Sequence, residues 1–218
     1  MTEPAKTSGV SFGREPFNGY SHLAAAVVAF VAGVILIGNS GGAPMVTSAK
    51  TFYALTLFLA FFSSALFHLV IGPPSLIERL RNFDHFCIRA LIVGTYAPFA
   101  IVMLPPGWSI GILGTFAFLV FMESALASRA NGKTTRIRKS CSYIALASLS
   151  LIAVPFLWDR FKEPILWTCL GSCFYILGAW CYLKKFPPKS ALIDFHQTWH
   201  ICVIIGAFIH YAVIFRLH

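Results

Sequence analysis

The chain has 218 residues, of which 57% are hydrophobic and 11% charged, with a mean hydropathy of +0.74. Soluble domains carry about 25% charged residues, so this chain cannot cover a water-exposed fold, and a separate soluble domain or a toxin that folds in water is excluded. The net charge of +9 lies in segments between apolar runs, where a membrane surface accounts for it and nucleic acid is not required.

About 20 apolar residues cross a bilayer core of about 30 Å. The sequence predicts an all-α membrane protein, a bundle of seven transmembrane helices. Residues 1–20 form a short polar N-terminus, and 21–218 form one transmembrane domain. The predicted spans are 21–38, 50–71, 85–104, 109–127, 141–158, 164–183 and 196–216. The first apolar run, 23–37, precedes Gly38-Asn39-Ser40-Gly41-Gly42. A cleaved leader would look similar, but six further spans favour an uncleaved first helix. Breakers separate the spans at Gly41-Gly42, Pro73-Pro74, Pro105-Pro106-Gly107, Asn131-Gly132 and Pro187-Pro188, and Pro98 is expected to kink the third. The cysteines at 87, 141, 169, 173, 181 and 202 form no C-x-x-C pair. They read as small packing residues, with no disulfide and no cysteine metal site.

Lys and Arg counts set the orientation. One side holds Lys6, Arg14, Arg79, Arg81, Arg129, Lys133, Arg136, Arg138, Lys139, Lys184, Lys185 and Lys189; the other holds Lys50, Arg160, Lys162 and Arg216. That bias predicts a cytoplasmic N-terminus and an outside C-terminus. Trp108, Trp158, Trp167, Trp180 and Trp199 all fall near span ends, as an aromatic belt requires. The basic loop 129–139 reads as an inner-face anchor.

Ionisable residues in spans are costly and therefore functional candidates. His196 and His200 open the last span four residues apart, so both imidazoles share one face about 6 Å apart, a natural mount for Zn²⁺. With the predicted topology, His68 near the end of the second span lies at the same depth. Three histidines from two helices then match the ligand set of a catalytic zinc centre with one open position. Imidazole also suits copper, nickel and iron. Asp84 is expected at that level, to handle a proton or orient a ligand, with pairing to Arg81 or Arg89 or an N-cap as the plainer alternatives. Ser64 precedes His68 by one turn on the same face. His22 reads more simply as interfacial, and Glu123 as an anchor. His85 points about 100° away from Asp84, and His210 lies about 15 Å beyond His200 by helical rise. The literal G-x-S-x-G at 38–42 lacks the strand that a nucleophile elbow needs.

These residues carry a resemblance. Ser-Ala-Leu-Phe-His at 64–68, the stretch 84–99 with Gly94-Thr95-Tyr96-Ala97-Pro98, and His196-x-x-x-His200 resemble the haemolysin III family within the progestin and adipoQ receptor (PAQR) group; Asn18 and Ser21-His22 resemble its N-terminal pattern. The resemblance covers essentially the whole chain. It implies a seven-helix bundle with a zinc ion on His68, His196 and His200, accompanied by Ser64 and Asp84, in a bacterial inner membrane. It also implies a link to membrane lipid homeostasis and to ceramide hydrolysis.

Three functions follow as expectations. The first is a zinc-dependent hydrolase of a lipid amide or ester, with His68, His196 and His200 on the metal, Asp84 and Ser64 catalytic, and a membrane lipid such as a ceramide or fatty acid as partner. The second is a sensor of membrane state with structural zinc, which needs a fourth protein ligand. The third, a pore-forming cytolysin, conflicts with the composition.

Overall fold

The computed structural model describes residues 11–129, 143–145, 147–148 and 154–217. Among them are helices α1 (Pro16–Gly38), α2 (Pro44–Leu69), α3 (Pro74–Met103), α4 (Pro106–Arg129), α5 (Val154–Lys184) and α6 (Phe195–Phe215). Each includes a stretch long and apolar enough to cross a membrane. The expected fifth span, 141–158, falls largely outside the described residues, as do Cys141, Lys6 and the basic residues of 133–139. Its last residues, from 154, form the start of α5, whose backbone leaves helical geometry at Phe161 (φ −127°, ψ 29°) before continuing.

Proline sets where the helices begin. Pro16, Pro44, Pro74 and Pro106 each open a helix, a position where the missing N–H costs nothing and the fixed φ is already helical. Several helices therefore start earlier than hydropathy predicts. The largest change is in α3, which begins eleven residues before the expected span at 85. The added turns hold Leu76, Ile77 and Leu80 among charged residues, with an Arg81–Glu78 pair at 3.2 Å, and an apolar-run criterion passes over such an amphipathic stretch. Asp84 is consequently inside a helix, which removes its reading as an N-cap.

Buried residues of α1 recur at Asn18, His22, Ala26, Ala29, Gly33 and Leu36, a stripe at helical period facing α2. Val27, Val28, Phe30, Val31 and Val34 point outward and are exposed, as lipid contact demands. The core joins α1, α2, α3 and α6 through Leu36, Tyr53, Phe61, Cys87, Leu91 and Ile214. Small residues let backbones approach: a Cβ on Gly94 of α3 would overlap Thr56 of α2, and one on Gly178 of α5 would lie 2.8 Å from the Cys202 Cβ of α6.

The strands β1 (Ser11–Phe12) and β2 (Val70–Ile71) pair antiparallel and tie the segment ahead of α1 to the end of α2. That segment satisfies the last carbonyls of α2, the acceptors every helix terminus leaves open. Leu69 accepts from the backbone N–H of Gly13 at 2.7 Å, His68 accepts from Glu15 N–H at 2.9 Å, and Phe67 accepts from the Arg14 guanidinium. At the opposite end of α1, Gly41 and Gly42 sit at φ +70° and +79°. Segment 38–42 is thus a turn between two helices and no nucleophile elbow.

Candidate metal centre

α6 starts with a capping box. Asp194 accepts from the backbone N–H groups of His196 (2.8 Å) and Gln197 (3.0 Å), and its own N–H donates to Gln197 Oε1 at 3.0 Å. The arrangement fixes the first turn and so the direction of His196 and, one turn on, His200. His68 occupies the last turn of α2. The three rings form a nearly equilateral triangle, with centroids 4.7 Å (His68–His200), 4.9 Å (His196–His200) and 5.1 Å (His68–His196) apart. One ring nitrogen from each lies within 4.8 Å of the others. His68 and His200 are buried, at 2% and 3% exposure, while the His196 side chain retains 27%.

This donor set fits a metal ion. Tetrahedral zinc with Zn–N arms of about 2.0–2.1 Å needs its nitrogens about 3.3–3.4 Å apart, and His196 Nε2 to His200 Nε2 is 3.3 Å. Among the described residues the group that can share one ion is His68, His196 and His200, which leaves a fourth position for a non-protein ligand.

The three histidines stand at one end of a cavity of about 1590 Å³. Ser64 and Asp84, both buried, line the same cavity, as do His85 and Tyr182. From this polar end the space runs along the bundle past apolar side chains, among them Leu91, Phe99, Met103 and Val203, as far as Trp108 and Leu157.

His22 faces the bundle and not headgroups or water. It is buried, with Nε2 2.7 Å from His200 Nδ1. Glu15 and Asn18 also reach the site: Glu15 Oε2 is 3.0 Å from His68 Nδ1 and 3.4 Å from His196 Nδ1, and the Asn18 amide nitrogen is 3.2 Å from His196 Nδ1. The His68 imidazole holds the Glu15 carboxyl down at about 2, against the opposing effect of burial. Glu15 escaped the sequence reading because it precedes every apolar run. The available signal is the 15, 18, 22 spacing straddling a helix-opening proline, Pro16.

Other candidates lie elsewhere. Glu123 of α4 is more than a surface anchor, since it pairs with Arg89 of α3, which also donates to the His85 carbonyl at 3.1 Å and to Ser124 Oγ at 3.4 Å. His210 is buried between α5 and α6 and donates from Nε2 to the Thr168 carbonyl at 3.0 Å, apart from the metal group.

The model of the family described as haemolysin-III related matches residues 10–211. The chain belongs to the haemolysin III family. It is 28% identical to Hemolysin-3 of Bacillus cereus over 99% of this chain and 97% of that protein, and 27% identical to the Hemolysin-3 homolog of Bacillus subtilis (strain 168) over 80% and 78%. Six apolar helices among the described residues and bacterial relatives make this haemolysin III family member a multi-pass integral membrane protein of the bacterial plasma membrane.

Proposed function

We propose that this haemolysin III family protein is a metal-dependent hydrolase that cleaves an amide or ester bond of a membrane lipid, with zinc as the metal. The observation that carries the reading is the meeting of His68, His196 and His200 at the polar end of a long, largely apolar cavity that Asp84 and Ser64 also line. The apolar length suits an acyl chain such as that of a ceramide, and the polar end suits its carbonyl. The three-histidine set supports catalysis over a structural role, because a structural zinc site is normally closed by a fourth protein ligand.

When bound by three protein ligands, zinc acidifies its water and polarises a carbonyl oxygen. The chain's own groups then have distinct tasks. The Asp84 carboxylate takes a proton from the attacking water and returns it to the departing nitrogen or oxygen, as a general base and then acid. The acyl carbon gains a bond to the water oxygen and loses its bond to the leaving group. The Ser64 hydroxyl donates to the carbonyl oxygen as charge develops there. The charge bias of the loops favours a cytoplasmic N-terminus, which puts this end of the cavity at the inner leaflet.

The test is metal content of detergent-purified protein, followed by turnover of a lipid amide. About one zinc per chain, lost in His196→Ala/His200→Ala, together with turnover lost in Asp84→Ala while metal is retained, fits the proposal. A metal-replete protein that hydrolyses neither lipid amide nor lipid ester overturns it in favour of a sensor role.

A further inference from the structure

We infer that Glu15, the residue capping α1, together with Asn18 and His22 on the first turns of that helix, are the positioning residues of the metal centre, holding the outer edges of its three histidines so that their ring nitrogens converge. The inference rests on the metal reading of His68, His196 and His200. Asn18 and His22 stand four residues apart on one helical face, Glu15 caps that same end of the helix, and each histidine is met by one of the three. Glu15 Oε2 meets His68 Nδ1 at 3.0 Å and lies 3.4 Å from His196 Nδ1. Asn18 donates to Glu15 Oε2 at 3.0 Å and touches His196 Nδ1 at 3.2 Å. His22 Nε2 meets His200 Nδ1 at 2.7 Å.

The chemistry requires such partners. A neutral imidazole that offers Nε2 to a metal carries its proton on Nδ1, and an acceptor there fixes both tautomer and ring angle. Glu15 and His22 supply acceptors to His68 and His200. For His196 the acceptor in reach is Glu15 Oε2 at 3.4 Å, which the Asn18 amide N–H holds in place at 3.0 Å.

Glu15 is itself held in place. Its backbone N–H donates to the His68 carbonyl at 2.9 Å, so it grips the ligand residue by main chain and side chain together. The Arg14 guanidinium, bonded to the Phe67 carbonyl and lying 4.6 Å above the Phe67 ring, anchors the residue before it. None of these three residues belongs to the group that can share one ion. Their effect on the metal runs through the histidines.

Cobalt(II) titration of the full-length protein in detergent tests this, with free metal set by a competing chelator and the visible d–d bands recording ligand geometry. Glu15→Ala and His22→Ala are expected to weaken cobalt binding by about 10–100-fold and to alter the bands. Glu15→Gln and His22→Gln, which retain an acceptor oxygen, recover most of the loss. Arg14→Ala, which loosens the segment but leaves the acceptor, loses clearly less than Glu15→Ala. A wild type that binds tightly alongside Glu15→Ala and His22→Ala variants within about twofold of it overturns this inference alone. So does an Arg14→Ala loss equal to that of Glu15→Ala, because the segment would then matter only as structure. A wild type that takes up no cobalt or zinc overturns the metal reading and this inference with it.

Discussion

Thermal stability should track free zinc. The three ligand nitrogens already lie within 4.8 Å of one another, two of them at the 3.3 Å separation a tetrahedral ion needs, so binding requires little rearrangement of the folded chain. A ligand that binds only the folded state adds RT ln(1 + [L]/Kd), about 2.7 kcal/mol at 100 times Kd and about 4.1 kcal/mol at 1,000 times. A chain of this length shifts its midpoint by about 2–4 °C per kcal/mol. Once zinc exceeds Kd, each tenfold rise in free zinc should raise the melting midpoint by about 3–6 °C. Tryptophan fluorescence of the detergent-solubilised protein, heated in zinc buffers from picomolar to micromolar free metal, reads this directly. His200→Ala should remove the slope, and Glu15→Ala should keep it but displace the curve to about 10–100-fold higher zinc. A midpoint flat across the whole range in wild type, or an unchanged slope in His200→Ala, refutes the reasoning.

Other perturbations report on other parts of the bundle. Glu123→Ala leaves Arg89, 3% exposed, without its carboxylate inside the bundle, and should cost about 3–5 kcal/mol in denaturant unfolding, while Arg89→Met/Glu123→Leu should cost clearly less. Gly94→Ala forces α3 away from Thr56 of α2 and should destabilise by about 1–3 kcal/mol; restoration by Thr56→Ala in the double variant would tie the loss to that contact. Asp194→Ala removes the cap of α6 and should cost about 1 kcal/mol, with a weaker metal affinity because the first turn carries His196. Alkaline phosphatase fused after Leu217 should be active in cells, and inactive when fused after Lys189, if seven spans carry the C-terminus outside.

Different parts of this structure were legible to different degrees. Helices are local, and apolar runs revealed the described ones; the errors fell at their starts. Pro74 and Pro106 look like breakers in loops, yet the residue that stops one helix also opens the next, because a proline costs nothing in a first turn and loses a hydrogen bond further in, as at Pro98 and Pro164. The cap at Asp194 is equally legible, as Asp followed three residues later by Gln, a signal to which hydropathy is blind. His68, His196 and His200 stood out because ionisable side chains in apolar runs are rare, and because a topology taken from lysines and arginines alone put them at one depth. Glu15 offered neither signal, since a carboxylate in a polar N-terminal segment looks like any other.

The distances along the chain explain why that residue matters. Glu15 meets His68 across 53 residues, and His22 meets His200 across 178. The site is therefore assembled only when the start, the first third and the end of the chain have come together. α1 packs extensively on α2 but only sparsely on α6, so the His22–His200 pair, the Asn18–His196 contact and Tyr211 donating to the Ala32 carbonyl at 2.9 Å are principal polar ties between the first helix and the last. An ion on His196 and His200 would strengthen the imidazole donors that α1 accepts, and metal occupancy would then be felt as closure of the bundle at that end. This physical link connects the zinc dependence of stability to the cobalt affinity of the Glu15 variants: one outer carboxylate should move both by the same factor.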